Sequence, residues 1–187
     1  LYVVGGLQTD GVASNSLYIY DPVADSWSMG ASMAMTRSIA AAAAVDGHIY
    51  IAGGYVGTNG GAYTIDTVEI YDIAMDSWSF GPSLPAPWAP YGDGAYQDRY
   101  FIVFNGGDVT SSSYYCGSDA LWYDTATGMW ENLPALPRCL YGSQGVATEN
   151  RFYLVSGRTN EGGWHMAVEV EYLEECPICT EIGYVQG

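Results

Sequence analysis

Lysine is absent from this chain of 187 residues, and five arginines stand against 21 acidic residues, for a formal net charge of −16. A nucleic-acid backbone is gripped through a clustered basic footprint, so this balance excludes nucleic acid as a partner class. The acidity itself speaks to solubility rather than fold, and no loop with the alternating Asp and closing Glu of a calcium site accompanies it. Long apolar runs are also missing. The longest, "IAAAAAV" from Ile39 to Val45, falls far short of the roughly 20 residues that cross a bilayer, so no membrane insertion is expected. Histidine is limited to His48 and His165, which leaves no recognisable Ser-His-Asp frame and no metal site. No N-x-Ser/Thr sequon occurs, and the chain opens on "LYVVGG" without Met or a basic leader, so any targeting segment is expected to lie outside it or to have been removed.

What is present is a repeat. "YDPVADSW" from Tyr20 returns as "YDIAMDSW" from Tyr71 and "YDTATGMW" from Tyr123, and a fourth copy, "YLEECPIC" from Tyr172, places Cys179 where the others have Trp. Small-residue pairs after an apolar strand end at Gly6, Gly54, Gly107 and Gly157, at intervals of 48, 53 and 50 residues. Trp27, Trp78 and Trp130 recur at 51 and 52, in step with the glycines. Two independent markers sharing one period define the organisation of the chain.

Each unit reads as four short strands. Asp46-Gly47 suits the positive φ angles of a tight hairpin turn, joining the alanine run to "HIYIAGG"; a polar loop, the alternating "TVEIYD" from Thr67, an Asp-rich turn and a strand beginning at Trp78 follow. Five consecutive alanines would ordinarily favour a helix. The matching segments "YGDGAYQ" from Tyr91 and "YGSQGVA" from Tyr141 would not hold one, so the run is expected to be an innermost strand, where converging sheets admit only small side chains.

The double glycine after an apolar strand, "VEIYD", and a Trp six residues after its Asp resemble the kelch motif, whose period of about 50 matches. The resemblance covers essentially the whole chain and implies an all-β fold, a β-propeller of four-stranded antiparallel blades. Four blades are expected in one domain, 1–187: 1–32, 33–84, 85–135 and 136–187. The first lacks its innermost strand, and "GYVQG" at the end follows the last outer strand and is too short to replace it. An open, partial propeller exposes a blade face at each end. Either it is a fragment of a longer propeller, or copies of the chain cover the ends in an oligomer or filament.

The family implies ligand binding on the face carrying loops 7–16, 55–66, 108–119 and 158–166 and connectors 30–37, 81–91 and 132–141. Arg37 and Arg138 lie near where kelch substrate adaptors carry arginines that grip acidic peptides. With Arg158 and the aromatics Trp88, Tyr91, Tyr114, Tyr115, Tyr141, Trp164 and His165, they form the candidate partner-binding face. The alternative for the arginines is pairing with carboxylates of an adjacent blade. A sugar-oxidase copper site would need a Tyr/Tyr/His/His set with a cross-linked Cys; the only histidines here are His48 and His165, and His48 is ordinary at a strand entry, so the set is not expected.

Cys116 and Cys139 fall on the same face and are the favoured disulfide, closing a loop of just over twenty residues worth ~3 kcal/mol. Cys176 and Cys179 form a single C-x-x-C, too few ligands for structural zinc and outside a thioredoxin-like setting, so a local disulfide or two thiols are expected. The reading is a non-enzymatic binding or structural module with no cofactor. Its partner is a protein or copies of itself, with carbohydrate binding, or a fragment of a sugar oxidase or mutarotase, as the alternative. A disulfide-bonded, acidic, tyrosine-rich chain is expected to be secreted.

Overall fold

Alternating apolar strands and tight Asp-Gly turns build a series of antiparallel sheets. A computed structural model of the chain describes residues 1–57, 63–90, 92–104, 117–137, 142–147, 151–159, 165–174 and 182–185; for 147, 156–159, 165–174 and 182–185 it describes the backbone alone. Blade one has three strands, β1 (Tyr2–Val4), β2 (Leu17–Asp21) and β3 (Ser26–Gly30). Blade two orders β4 (Ala41–Val45), β5 (His48–Ala52), β8 (Val68–Asp72) and β9 (Ser77–Gly81), with a small hairpin β6 (Tyr55–Val56) and β7 (Tyr63–Thr64) in its long loop. Blade three is β10 (Gly92–Tyr96), β11 (Tyr100–Phe104), β12 (Ala120–Asp124) and β13 (Met129–Leu133). Blade four is β14 (Gln144–Ala147), β15 (Arg151–Thr159), β16 (His165–Glu174) and β17 (Ile182–Val185). The described residues contain no helix.

The alanine run is an innermost strand, as its repeat context requires. Alanines alone would permit a helix, but β4 pairs with β5 from Ala41↔Ala52 to Val45↔His48, and Asp46 and Gly47 make the turn at φ 46° and 73°. The strand begins two residues later than the apolar run, because Ile39 is left-handed at φ 50°. Small side chains are needed here because inner strands of adjacent blades meet: a Cβ on Gly94 would lie 2.6 Å from the Phe152 ring, and one on Gly145 would overlap the Asp93 carbonyl oxygen.

Three apolar layers glue the blades together. Leu17, Met33, Ile49, Ile51 and Tyr71 fill the first interface, Tyr50, Val68, Phe101, Leu121 and Tyr123 the second, and Ile102, Phe104, Trp122, Phe152 and Leu154 the third. In blades two and three the repeated Trp ties the outer strand to the preceding blade. Trp78 Nε1 donates to the Ala31 carbonyl at 2.7 Å and Trp130 Nε1 to the Pro82 carbonyl at 2.8 Å.

Blade four corrects the expected frame of the fourth repeat. Tyr71 opposes Trp78 and Tyr123 opposes Trp130, but Tyr172 opposes Gly183, so the Trp position belongs to Gly183 and not to Cys179. Gly183 stands eleven positions after Tyr172, where Trp78 stands seven after Tyr71, so the sequence match falls four positions short of the paired residue. Gly183, Tyr184 and Val185 are therefore part of the outer strand itself rather than a tail following it.

Candidate functional site

The loop face is organised by its double glycines. Gly5 and Gly53 have φ of 62° and 64°, and a Cβ on Gly5 would stand 2.6 Å from the Arg37 carbonyl oxygen. Bare backbone at this point lets the connector to the next blade come close. Gly6 N then donates to the Arg37 carbonyl at 2.9 Å, and Gly54 N to the Trp88 carbonyl at 2.7 Å. Arg37 N returns a bond to the Ser14 carbonyl, Ser38 and Tyr55 exchange a pair, and Trp88 N reaches the Ile65 carbonyl. Loop and connector are thus stitched together at equivalent places in successive blades.

Arg37 is not on the open face. Its side chain is 1% exposed and points under the connector, where Nη2 meets Glu69 Oε1 at 2.6 Å and Nη1 donates to the carbonyls of Gly53 and Thr67. Glu69 is equally buried and also accepts from Ala34 N at 2.7 Å and Met35 N at 3.2 Å. Burial pulls the Arg37 pKa down, and the Glu69 charge and hydrogen bond partly offset that pull. Two backbone carbonyls and a carboxylate hold the guanidinium, so Arg37 takes the alternative the sequence left open, pairing with a carboxylate of the adjacent blade, and does not present its charge to a partner. Glu69 was missed because its position is Tyr18 in blade one and Leu121 in blade three, so the repeat gives no signal for it.

Trp88 is half-buried against the interface of blades two and three while its backbone bridges to Ile65. Arg158 on β15 stands opposite Met166 and His165 on β16 opposite Thr159, one register position apart, with only their backbone described. Tyr91, Tyr114, Tyr115, Arg138, Tyr141 and Trp164 lie outside the described residues, as do Cys116, Cys139, Cys176 and Cys179. Of the other arginines, Arg99 makes a bidentate pair with Asp124, at 2.7 and 2.6 Å, on the opposite, turn-bearing rim. His48 sits at that rim too, with Nδ1 2.7 Å from the Asp46 carbonyl.

The described loop face exposes apolar side chains beside polar ones such as Gln8, Thr9 and Asp10. Leu7 and Val12 in the first loop, Ile39 after the connector and Tyr63 in the second loop are all solvent-exposed around the stitched backbone. No periodicity could single them out, since each falls where the repeat varies.

Comparison with known proteins agrees with this architecture. A family model described as the kelch motif matches residues 1–34 and 36–85. Kelch-like protein 23 of Mus musculus is 28% identical over 185 residues, covering 95% of this chain and 31% of its own length. An F-box/kelch-repeat protein of Arabidopsis thaliana is 26% identical over 147 residues, with 72% and 31% covered, and the kelch repeat and BTB domain-containing protein 12 of Danio rerio is 32% identical over 154, with 71% and 23% covered. The solved structure of YjhT superposes with a TM-score of 0.74 at 16% identity, over 98% of this chain and 64% of that one. The chain therefore spans a third or less of these curated relatives, and about two-thirds of YjhT. Repeat period, antiparallel blades, stitched double glycines and matched motifs together place this chain in the kelch-repeat family, whose members are commonly protein-interaction modules.

Proposed function

We propose that the chain is a non-enzymatic protein-interaction module that recognises a protein partner through its loop face. The observation that carries this reading is the exposed apolar set Leu7, Val12, Ile39 and Tyr63, held on backbone that the double glycines pin to the blades. Apolar tips on a rigid scaffold bury area on docking without a large ordering cost. The relatives named for F-box and BTB domains alongside kelch repeats support a protein partner. Of the expected arginine anchors, Arg37 is committed to the Glu69 carboxylate.

Photo-crosslinking tests this. A benzophenone side chain replacing Leu7 or Tyr63 is expected to capture one recurrent protein in an extract of the source, and the same group at Val23 on the turn rim is expected to capture none. Equal capture from both rims, or turnover of galactose or a sialic acid by the purified chain, would sink the proposal.

A further inference from the structure

The inner strands β4, β10 and β14 differ at their second position, where they carry Ala42, Asp93 and Gly145. Only a small side chain is asked for there, since a Cβ on Gly145 would already overlap the Asp93 carbonyl oxygen. A carboxylate at that point is peculiar to blade three, whose inner strand lies between those of blades two and four.

Asp93 Oδ2 accepts from Ala42 N at 2.6 Å, on the edge of β4 that β5 leaves unpaired. Asp98 does the same for Asp46 N at 2.7 Å, but at the turn end of these strands, where it is exposed to water and an ion costs little. Asp93 is placed differently. It follows the connector 81–91 by two residues, beneath the loop face, and is only partly exposed. No ion pair among the described residues includes it, and its Oδ1 has no hydrogen-bond partner among them. The ionisable groups of the strands packed against it stand elsewhere. Tyr96 and Tyr100 close and open the turn between β10 and β11, Arg151 opens β15 at that same end, Tyr153 is paired with Val146, and β4 and β14 carry none. Burial raises the Asp93 pKa to about 6, with only the Ala42 bond pulling it back. A half-buried carboxylate with one oxygen unused and no cation paired to it is suited to receive one.

We propose that the loop face takes a protein segment bearing a lysine or arginine among apolar residues, with the cation reaching the Asp93 oxygen that Ala42 does not use. The inference rests on the loop-face reading above and adds the charge that the partner carries. With no lysine and a net charge of −16, the chain also draws a basic segment toward it before contact. Tyr63, exposed on the same face, offers apolar surface to the residues beside the cation.

Panning a random phage-displayed peptide library against the chain at pH 7.5 tests this. Selected peptides are expected to share a lysine or arginine flanked by apolar residues. A synthetic copy of one should bind Asp93→Asn at least tenfold more weakly than the parent, and the Asn keeps an acceptor for Ala42, so the strands stay joined. Replacing the peptide's cation by norleucine should cost as much on the parent and nothing further on Asp93→Asn. Asp72→Asn, on the turn-bearing rim, removes the same unit of charge and should change affinity less than twofold. Lowering the pH to 5 protonates most Asp93 carboxyls and should weaken binding to the parent about tenfold while leaving Asp93→Asn unchanged. Selection of peptides without a cation, failure to select any, or equal losses from Asp93→Asn and Asp72→Asn would overturn the proposal. Protein capture by the benzophenone at Tyr63 that persists unchanged in Asp93→Asn would overturn it too, while leaving the loop face standing as the binding surface.

Discussion

Arg37 and Glu69 share a site from which water is excluded, so each is stable only through the other and the backbone around them. Removing one charge strands its partner, at a cost of roughly 3–5 kcal/mol. Arg37→Met is therefore expected to lower stability by an amount of that order in urea denaturation, and adding Glu69→Gln should recover part of it. The recovery has a physical source: the amide oxygen can still accept from Ala34 or Met35 without carrying an unpaired charge. A loss below 1 kcal/mol for Arg37→Met, or no recovery, would show that the ion pair does not hold the connector. Asp93 supplies a second residue-scale test. Its Oδ2 accepts from Ala42 N at 2.6 Å between inner strands, and burial pushes its pKa up to about 6, against the pull of that bond. The unfolded value is about 4, so the folded protein holds this proton more tightly. Its contribution favours folding below about 4 and is lost as pH rises through 6. Asp93→Asn keeps an acceptor for Ala42 and abolishes the titration. The variant should be more stable than the parent at pH 7.5, with the difference narrowing as pH falls to 4. Asp124, held down to about 2 chiefly by its hydrogen bonds from Arg99, acts in the opposite sense and only in stronger acid: what it adds is present above about 4 and lost as pH falls through 2. A gap between the Asp93 variant and the parent that stays constant from pH 7.5 to 4 would contradict this assignment.

At the scale of the element, the inner strands set the tightest limit. Gly145 on β14 faces Asp93 on β10, and a methyl group there would overlap both the Asp93 carbonyl oxygen and the Phe152 ring. The ring can yield, but the carbonyl belongs to a strand paired along its length with β11. Gly145→Ala is accordingly expected to cost roughly 1–3 kcal/mol through overpacking, read as a lower thermal midpoint. Ala42→Gly on the neighbouring inner strand should cost less than Gly145→Ala, since it adds no atom; the reverse order would refute the steric account. The same strands show why so much of the fold was legible. Small residues recur in β4, β10 and β14, Asp46-Gly47 marks a tight turn, and Trp78 and Trp130 keep step with the glycines, because each answers a constraint that every blade must meet. Features peculiar to one blade carried no such signal. The sequence allows Arg37 either a partner or a carboxylate of the adjacent blade, and nothing in "VEIYD" separates a buried Glu from a solvated one, so Glu69 could not be singled out. "YLEECPIC" looked like a complete turn with Cys179 in the Trp position because a four-position offset is invisible to a fixed frame. The loop face was the least readable part, since Leu7, Val12 and Tyr63 stand where the repeats differ.

For the molecule as a whole, stability is distributed by neighbours. Blades two and three are each covered on both faces, by the layers around Ile51, Phe101 and Phe104, whereas blade one is covered on one face and has β1 paired only with β2. In repeat architectures each unit gains most of its stability from the units it touches, so opening should begin at the unit with fewest contacts. Superimposed on this is the net charge of −16, whose self-repulsion opposes the compact state everywhere and weakens as salt shortens the screening length to about 10 Å at 0.1 M. Amide hydrogen exchange should therefore be fastest in β1, at Val3, and slowest in β5 and β11, at Ile51 and Ile102. Raising NaCl from 0.02 to 0.3 M should increase the thermal midpoint while preserving that order, because screening acts on the whole charge and not on any one blade interface. Equal protection of Val3 and Ile102 in the unmodified monomer would mean that the open face carries no energetic penalty, and the argument from neighbours would fail.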